Sequence, residues 1–177
     1  MEYVRDYAMY AAVFGLFSFV WFGWAQEQPR AGWRKWLGMA SGAGLLMCLY
    51  GVYLSATHWD APSALSIDGA YDRYLIFVYA EIVLAGVGAF LLLRKKRAQL
   101  VAPWILFIVG VHFIGLKPVF QDAGLYLLAG LLIAVAAASV IVAPRLKVAS
   151  SAIAGIGAGT VLFGFALLGL ARYYAAM

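Results

Sequence analysis

The chain has 177 residues, of which 66% are hydrophobic and only 12% charged, with a formal net charge of +5. A soluble domain is on average about 45–50% apolar and about 25% charged, so this composition excludes an ordinary water-soluble domain. The single cysteine, Cys48, excludes an internal disulfide and any cysteine-based metal cluster.

Six stretches reach the roughly 20 mostly apolar residues that a bilayer span needs. The first, Tyr7–Ala25, starts behind Glu2 rather than a basic segment and is longer than a signal core. It is therefore expected to be a retained helix and not a cleaved leader. The others are Leu37–Thr57, Tyr74–Leu93, Leu100–Val119, Gly124–Ala143 and Ser150–Ala171. One connection has any length, Trp59–Arg73. The expected fold is one membrane domain: an all-α, polytopic bundle of six transmembrane helices with short loops. Three helices precede Gln99 and three follow it in opposite orientation, which admits an inverted 3+3 arrangement.

The basic residues give an orientation. Arg30, Arg34, Lys35, Arg94, Lys95, Lys96, Arg97, Arg145 and Lys147 lie on the side reached after the first, third and fifth spans, against Arg5, Arg73, Lys117 and Arg172 on the other. By the positive-inside rule, both termini are expected outside the cytoplasm, in a multi-pass protein of the cytoplasmic (inner) membrane. Acids segregate alike: Glu2, Asp6, Asp60, Asp68, Asp72 and Asp122 fall outside and Glu27 inside. The positive charge thus reads as a topology signal. The expected partner is the lipid bilayer, not nucleic acid.

Two ionisable residues interrupt the apolar runs, Glu81 in the third span and His112 in the fourth. An ionisable group inside a membrane is costly and marks a candidate functional site. Each lies seven residues from the outer end of its span, roughly 10 Å deep at 1.5 Å per residue. The connection Arg94–Gln99 is short, so the two helices are expected to be antiparallel neighbours. A Glu81–His112 pair would share a proton or form an ion pair, the chemistry of a relay or pH-sensitive gate, or else simply tie two helices together. Lys117 is a second candidate partner for Glu81, although its amine can also snorkel to the headgroups.

All eleven tyrosines fall in the outer half and five of the six tryptophans on the inner side. Interfacial belts account for most of them. Tyr50, Tyr53 and Tyr79 lie deeper and are candidates, with Trp21, for the lining of an outward cavity. Gly38 with Gly42, and Gly155 with Gly159, are small-xxx-small pairs expected at close helix contacts within the bundle or across a homodimer. His58 and His112 sit at depths too different for a haem pair, and there is no HExxH motif or Cys/His cluster, so no metal or other cofactor is expected. Nucleophile elbows, histidine boxes and nucleotide loops are also missing, which argues against an enzyme.

The stretches Phe14–Glu27 (FGLFSFVWFGWAQE) and Val109–Phe113 (VGVHF) resemble segments of a group of small six-helix bacterial membrane proteins with no assigned activity. The resemblance implies a Glu on helix three and a Gly-Val-His-Phe stretch on helix four, matched here by Glu81 and Gly110–Phe113. It departs where Ile114-Gly115-Leu116 replaces the family's Pro-Leu step, so the kink implied there is not expected. Two functions fit this sequence: a transporter or channel-like carrier of a small, cationic or aromatic solute, or a non-catalytic accessory, sensor or interaction subunit.

Overall fold

A bilayer core holds no water for the backbone, so each peptide group in a span has to be satisfied inside its own helix. The computed structural model describes residues 3–177 and answers this demand with six helices: α1 (Val4–Trp24), α2 (Arg34–Thr57), α3 (Ala70–Arg94), α4 (Val101–Phe120), α5 (Gly124–Leu146) and α6 (Ser150–Ala176). All six are long and apolar enough to cross a membrane. Glu2, counted above with the outer acids, lies outside the described residues.

The ends differ from the expected spans for local reasons. α3 begins one turn before Tyr74, where Gly69 takes a left-handed conformation (φ 70°) that a residue with a Cβ adopts only with strain. α4 runs through Pro118 and ends two residues beyond it, at Phe120. The connection between α2 and α3 is not featureless: Ala64–Ser66 forms a short 3-10 turn.

α1 is the axis of the bundle. Two of its faces carry small residues, and there its neighbours reach backbone contact. On the α2 side, Gly51 lies against the backbone of Ala11 and Ala12, and Gly15 and Gly44 interlock beside Cys48 and Phe19. On the α6 side, Gly155 meets the Trp21 carbonyl, Gly159 the Phe22 ring and Gly169 the Tyr7 carbonyl. Two buried hydroxyls secure these faces: Ser18 donates to the Gly159 carbonyl and Ser41 to the Phe19 carbonyl, both at 3.0 Å. Without a hydrophobic force between helices in lipid, such close approach and interhelical hydrogen bonding drive association.

From α6 the bundle continues through α5 to α4, and α3 stands at the edge beside α4. The expected packing glycines thus divide. Gly155 and Gly159 are at the α1–α6 seam. Gly38 and Gly42 lie exposed, with nothing within 4 Å of where a Cβ would stand. The expectation missed Gly44 and Gly51 because spacing alone does not say which face of α2 meets α1. The two halves are also packed differently: α6 contacts α1, α5 and α4, whereas the helical contacts of its counterpart α3 fall chiefly on α4. An inverted 3+3 arrangement is therefore matched in part: α1–α2 corresponds to α4–α5 and α1–α6 to α4–α3, whereas the α5–α6 contact has no counterpart of similar extent between α2 and α3.

A methyl group at Gly51 would run into the backbone nitrogen of Ala12, whereas one at Gly38 would meet open space. Gly51→Ala is expected to destabilise the bundle by at least about 1–3 kcal/mol through overpacking. Gly38→Ala is expected to stay within about 0.5 kcal/mol of the parent. Thermal unfolding of both variants in one detergent checks the contrast.

Candidate functional site

α4 holds α3 by seating its own side chains against α3's backbone. Trp104 packs over Gly88 and its Nε1–H donates to the Leu84 carbonyl at 3.2 Å. Two turns further along α4, His112 Nδ1 lies 3.2 Å from the Phe77 carbonyl, and the Phe77 ring fills the space left open by Gly115. A carbonyl oxygen can only accept, so this contact requires the proton on Nδ1. The spacing of seven residues on α3 against eight on α4 is that of antiparallel neighbours, as the short connection implied.

The same Nδ1 lies 3.2 Å from Oε2 of Glu81, one turn beyond Phe77 on α3. The imidazole proton is thus shared between a helix carbonyl and a carboxylate. His112 is nearly covered, its side chain 8% exposed, while that of Glu81 is 24% exposed. The difference has a cause: Glu81 faces a cleft.

This cleft has a volume of about 240 Å³ and runs between α1, α3 and α4. Each helix gives it a single stripe. Asp6, Tyr10, Val13, Phe17 and Trp21 follow one another at helical spacing on α1. Val109, His112, Leu116 and Phe120 do so on α4, and Tyr74, Val78 and Glu81 on α3. From Asp6 to Trp21 the cleft is about 22 Å long at 1.5 Å per residue. Its walls are mostly aliphatic and aromatic, with Glu81 and His112 the ionisable groups away from its ends.

The end nearest the chain termini is covered by the α2–α3 connection. Asp6, 8% exposed, accepts from the Ser63 hydroxyl at 2.6 Å and from the Ala64 amide at 2.8 Å, one oxygen to each. It thereby caps the 3-10 turn in company with Ser63, whose own oxygen accepts from the Leu65 amide. Arg5 donates to the Trp59 carbonyl and lies 4.2 Å over the Trp59 ring. Consecutive residues of α1 therefore latch both parts of this loop.

Beside the latch is a second, polar hollow of about 250 Å³, lined by Tyr7, Gln121, Asp122 and Arg172 among others. Arg172 and Asp122 pair at 2.8 Å, and the other Asp122 oxygen caps the Gly124 amide. Asp6, Tyr10 and Phe120 line both hollows and so form the partition between them. The Tyr10 and Phe120 rings meet edge to face at 5.8 Å, and Tyr74 adds a third ring against Phe120.

Among the residues singled out from sequence, the structure brings Glu81, His112 and Trp21 to one cleft. Tyr50, Tyr53, Tyr79 and Lys117 stand elsewhere. Tyr50 hydrogen-bonds Tyr174 of α6 and stacks on Tyr53, which is 62% exposed, and Tyr79 is 63% exposed on the outer face of α3. Depth along a helix put them near Glu81, but their angular position turns them away. Lys117 lies 5.5 Å over the Tyr126 ring of α5 instead of pairing with Glu81. His58 hydrogen-bonds the Tyr173 hydroxyl at 3.0 Å, a tie between α2 and α6. No cluster of metal-ligating side chains occurs among the described residues. Asp6, Tyr10, Ser63, Tyr74 and Phe120 were not singled out from the sequence. Helical spacing alone did not set Asp6 and Tyr10 apart, because α1 is apolar on every side.

The fold defines the class: an integral membrane protein built as an all-α bundle of six helices. No family model, curated protein or solved structure matches the chain.

Removing the Asp6 carboxylate undoes the latch. Asp6→Ala strips the Ser63 hydroxyl and Ala64 amide of their acceptor, and leaving a buried group unpaired costs about 1–3 kcal/mol. Faster hydrogen exchange at the Ala64 amide is the expected result, with the α1–α6 seam unchanged.

Proposed function

We propose that the protein is a carrier of a small solute, with the α1–α3–α4 cleft as its binding site and the Glu81–His112 pair as the polar group that holds the solute and a proton. The observation that carries this reading is the cleft itself. A purely structural Glu–His tie would be served by tight packing, whereas here Glu81 borders a hollow walled by aromatic rings. A carboxylate among aromatic faces suits a cationic or aromatic solute, which gains from charge and from ring quadrupoles together.

This reading takes both termini as lying outside the cytoplasm in an inner membrane, supported by nine basic residues against four on the two sides. It then places the latch and polar hollow at the outer surface. It also retains the likeness of Phe14–Glu27 and Val109–Phe113 to small six-helix bacterial membrane proteins. A second reading, an accessory subunit or homodimer, is favoured by the exposed Gly38 and Gly42 on the lipid-facing side of α2. Cross-linking between copies through a cysteine at Met39 would support it.

A cation binding at Glu81 competes with a proton for the same carboxylate. Adding tetraphenylphosphonium to the purified protein is expected to release protons to a pH-indicator dye. Glu81→Gln is expected to abolish the release and to weaken binding at least tenfold, about 1.4 kcal/mol. Unchanged proton release in that variant would exclude Glu81 as the proton carrier.

A further inference from the structure

The cleft is closed towards water and open towards lipid. At the water end stand the latched loop, held by Asp6 and Arg5, and the Tyr10–Phe120–Tyr74 ring cluster that separates the cleft from the polar hollow. Along its side there is no such closure. Val13 and Phe17 of α1 line the cleft yet remain 38% and 46% exposed. α3, held by α4, makes no substantial packing contact with α1. The gap between α1 and α3 runs along apolar, membrane-spanning stretches, so what faces it is hydrocarbon.

We infer that the ligand reaches the Glu81–His112 pair from the bilayer, through the gap between α1 and α3, and that it is an apolar amine dissolved in the membrane. This inference rests on the cleft being a binding site. The apolar walls supply no partner for a polar solute along most of the cleft's length. A molecule entering sideways must already have partitioned into hydrocarbon. At mid-length it meets one carboxylate, Glu81, whose charge complements an ammonium group, and the α1 wall of the same cleft carries the rings of Phe14 and Phe17, which favour a cation. A neutral amine that crosses the lipid and accepts the carboxyl proton of Glu81 leaves an ammonium beside a carboxylate, which satisfies the route and the site together. A phospholipid chain would satisfy the route alone, since it has no use for Glu81.

The experiment uses the full chain in lipid nanodiscs, with Cys48→Ala and a nitroxide on Val78→Cys in the cleft wall. Collision with oxygen, which concentrates in lipid, is expected to be high, and collision with a water-soluble nickel chelate low. Dodecylamine is expected to lower the oxygen collision rate at least twofold, and the added Glu81→Gln substitution to remove that effect. Val13→Trp, which narrows the gap from the α1 side, is expected to remove it as well while circular dichroism stays that of the parent. High nickel access would overturn the lateral route. An equal response to dodecanol, or a response that survives Glu81→Gln, would overturn the amine and leave only a chain lying in the groove. Loss of tetraphenylphosphonium-driven proton release with these results intact would remove proton carriage but not the lateral site. Proton release together with high nickel access would do the reverse.

Discussion

The arrangement depends on a contrast between the faces of α1. Two faces carry glycine, alanine and serine and draw α2 and α6 to backbone contact. The third carries Met9, Tyr10, Val13, Phe14 and Phe17, side chains too large for such an approach. Helices facing that stripe stand off by a side-chain length. α4 meets it through ring contacts, Phe14 on Phe113 at 5.7 Å and Tyr10 on Phe120 at 5.8 Å. α3 does not close over it. The cleft is what remains between a tightly packed core and a helix held from one side.

The second constraint is the means by which α3 is held. A helix at the edge of a bundle, with lipid along most of its surface, needs specific attachment, because lipid tails compete equally for its apolar side chains. Here α4 supplies it with two ring N–H donors aimed at backbone carbonyls, each beside a glycine on one helix and a ring from the other. His112 is part of that attachment and also the partner of Glu81. One nitrogen therefore faces two acceptors, a backbone carbonyl and a carboxylate, and both belong to α3.

Much of the architecture was legible from residue pattern. Six apolar runs gave six helices with ends within a few residues, since no other secondary structure satisfies a single chain segment in hydrocarbon. Glu81 and His112 stood out as ionisable groups in apolar runs, and a short connection sufficed to place them on adjacent helices. Depth was legible too, because it depends only on counting along a helix. Azimuth was not. Tyr50, Tyr53 and Tyr79 lie at suitable depths but face lipid or α6, and Gly38 and Gly42 have packing spacing on an unpacked face. A soluble helix tells its inside from its outside by an apolar stripe opposite a polar one. That signal is lost here, because both faces of a transmembrane helix are apolar.

By itself the sequence determined the class of protein, the number and rough limits of its helices, and the presence of one intramembrane acid–imidazole pair. These follow from composition and from counting, which need no knowledge of neighbours. Only the tertiary structure decided which face of each helix meets another, that Asp6 fastens a loop 57 residues away, and that Glu81 borders a hollow. Those outcomes depend on the sizes of side chains that meet across helices, and such meetings are set by the bundle as a whole.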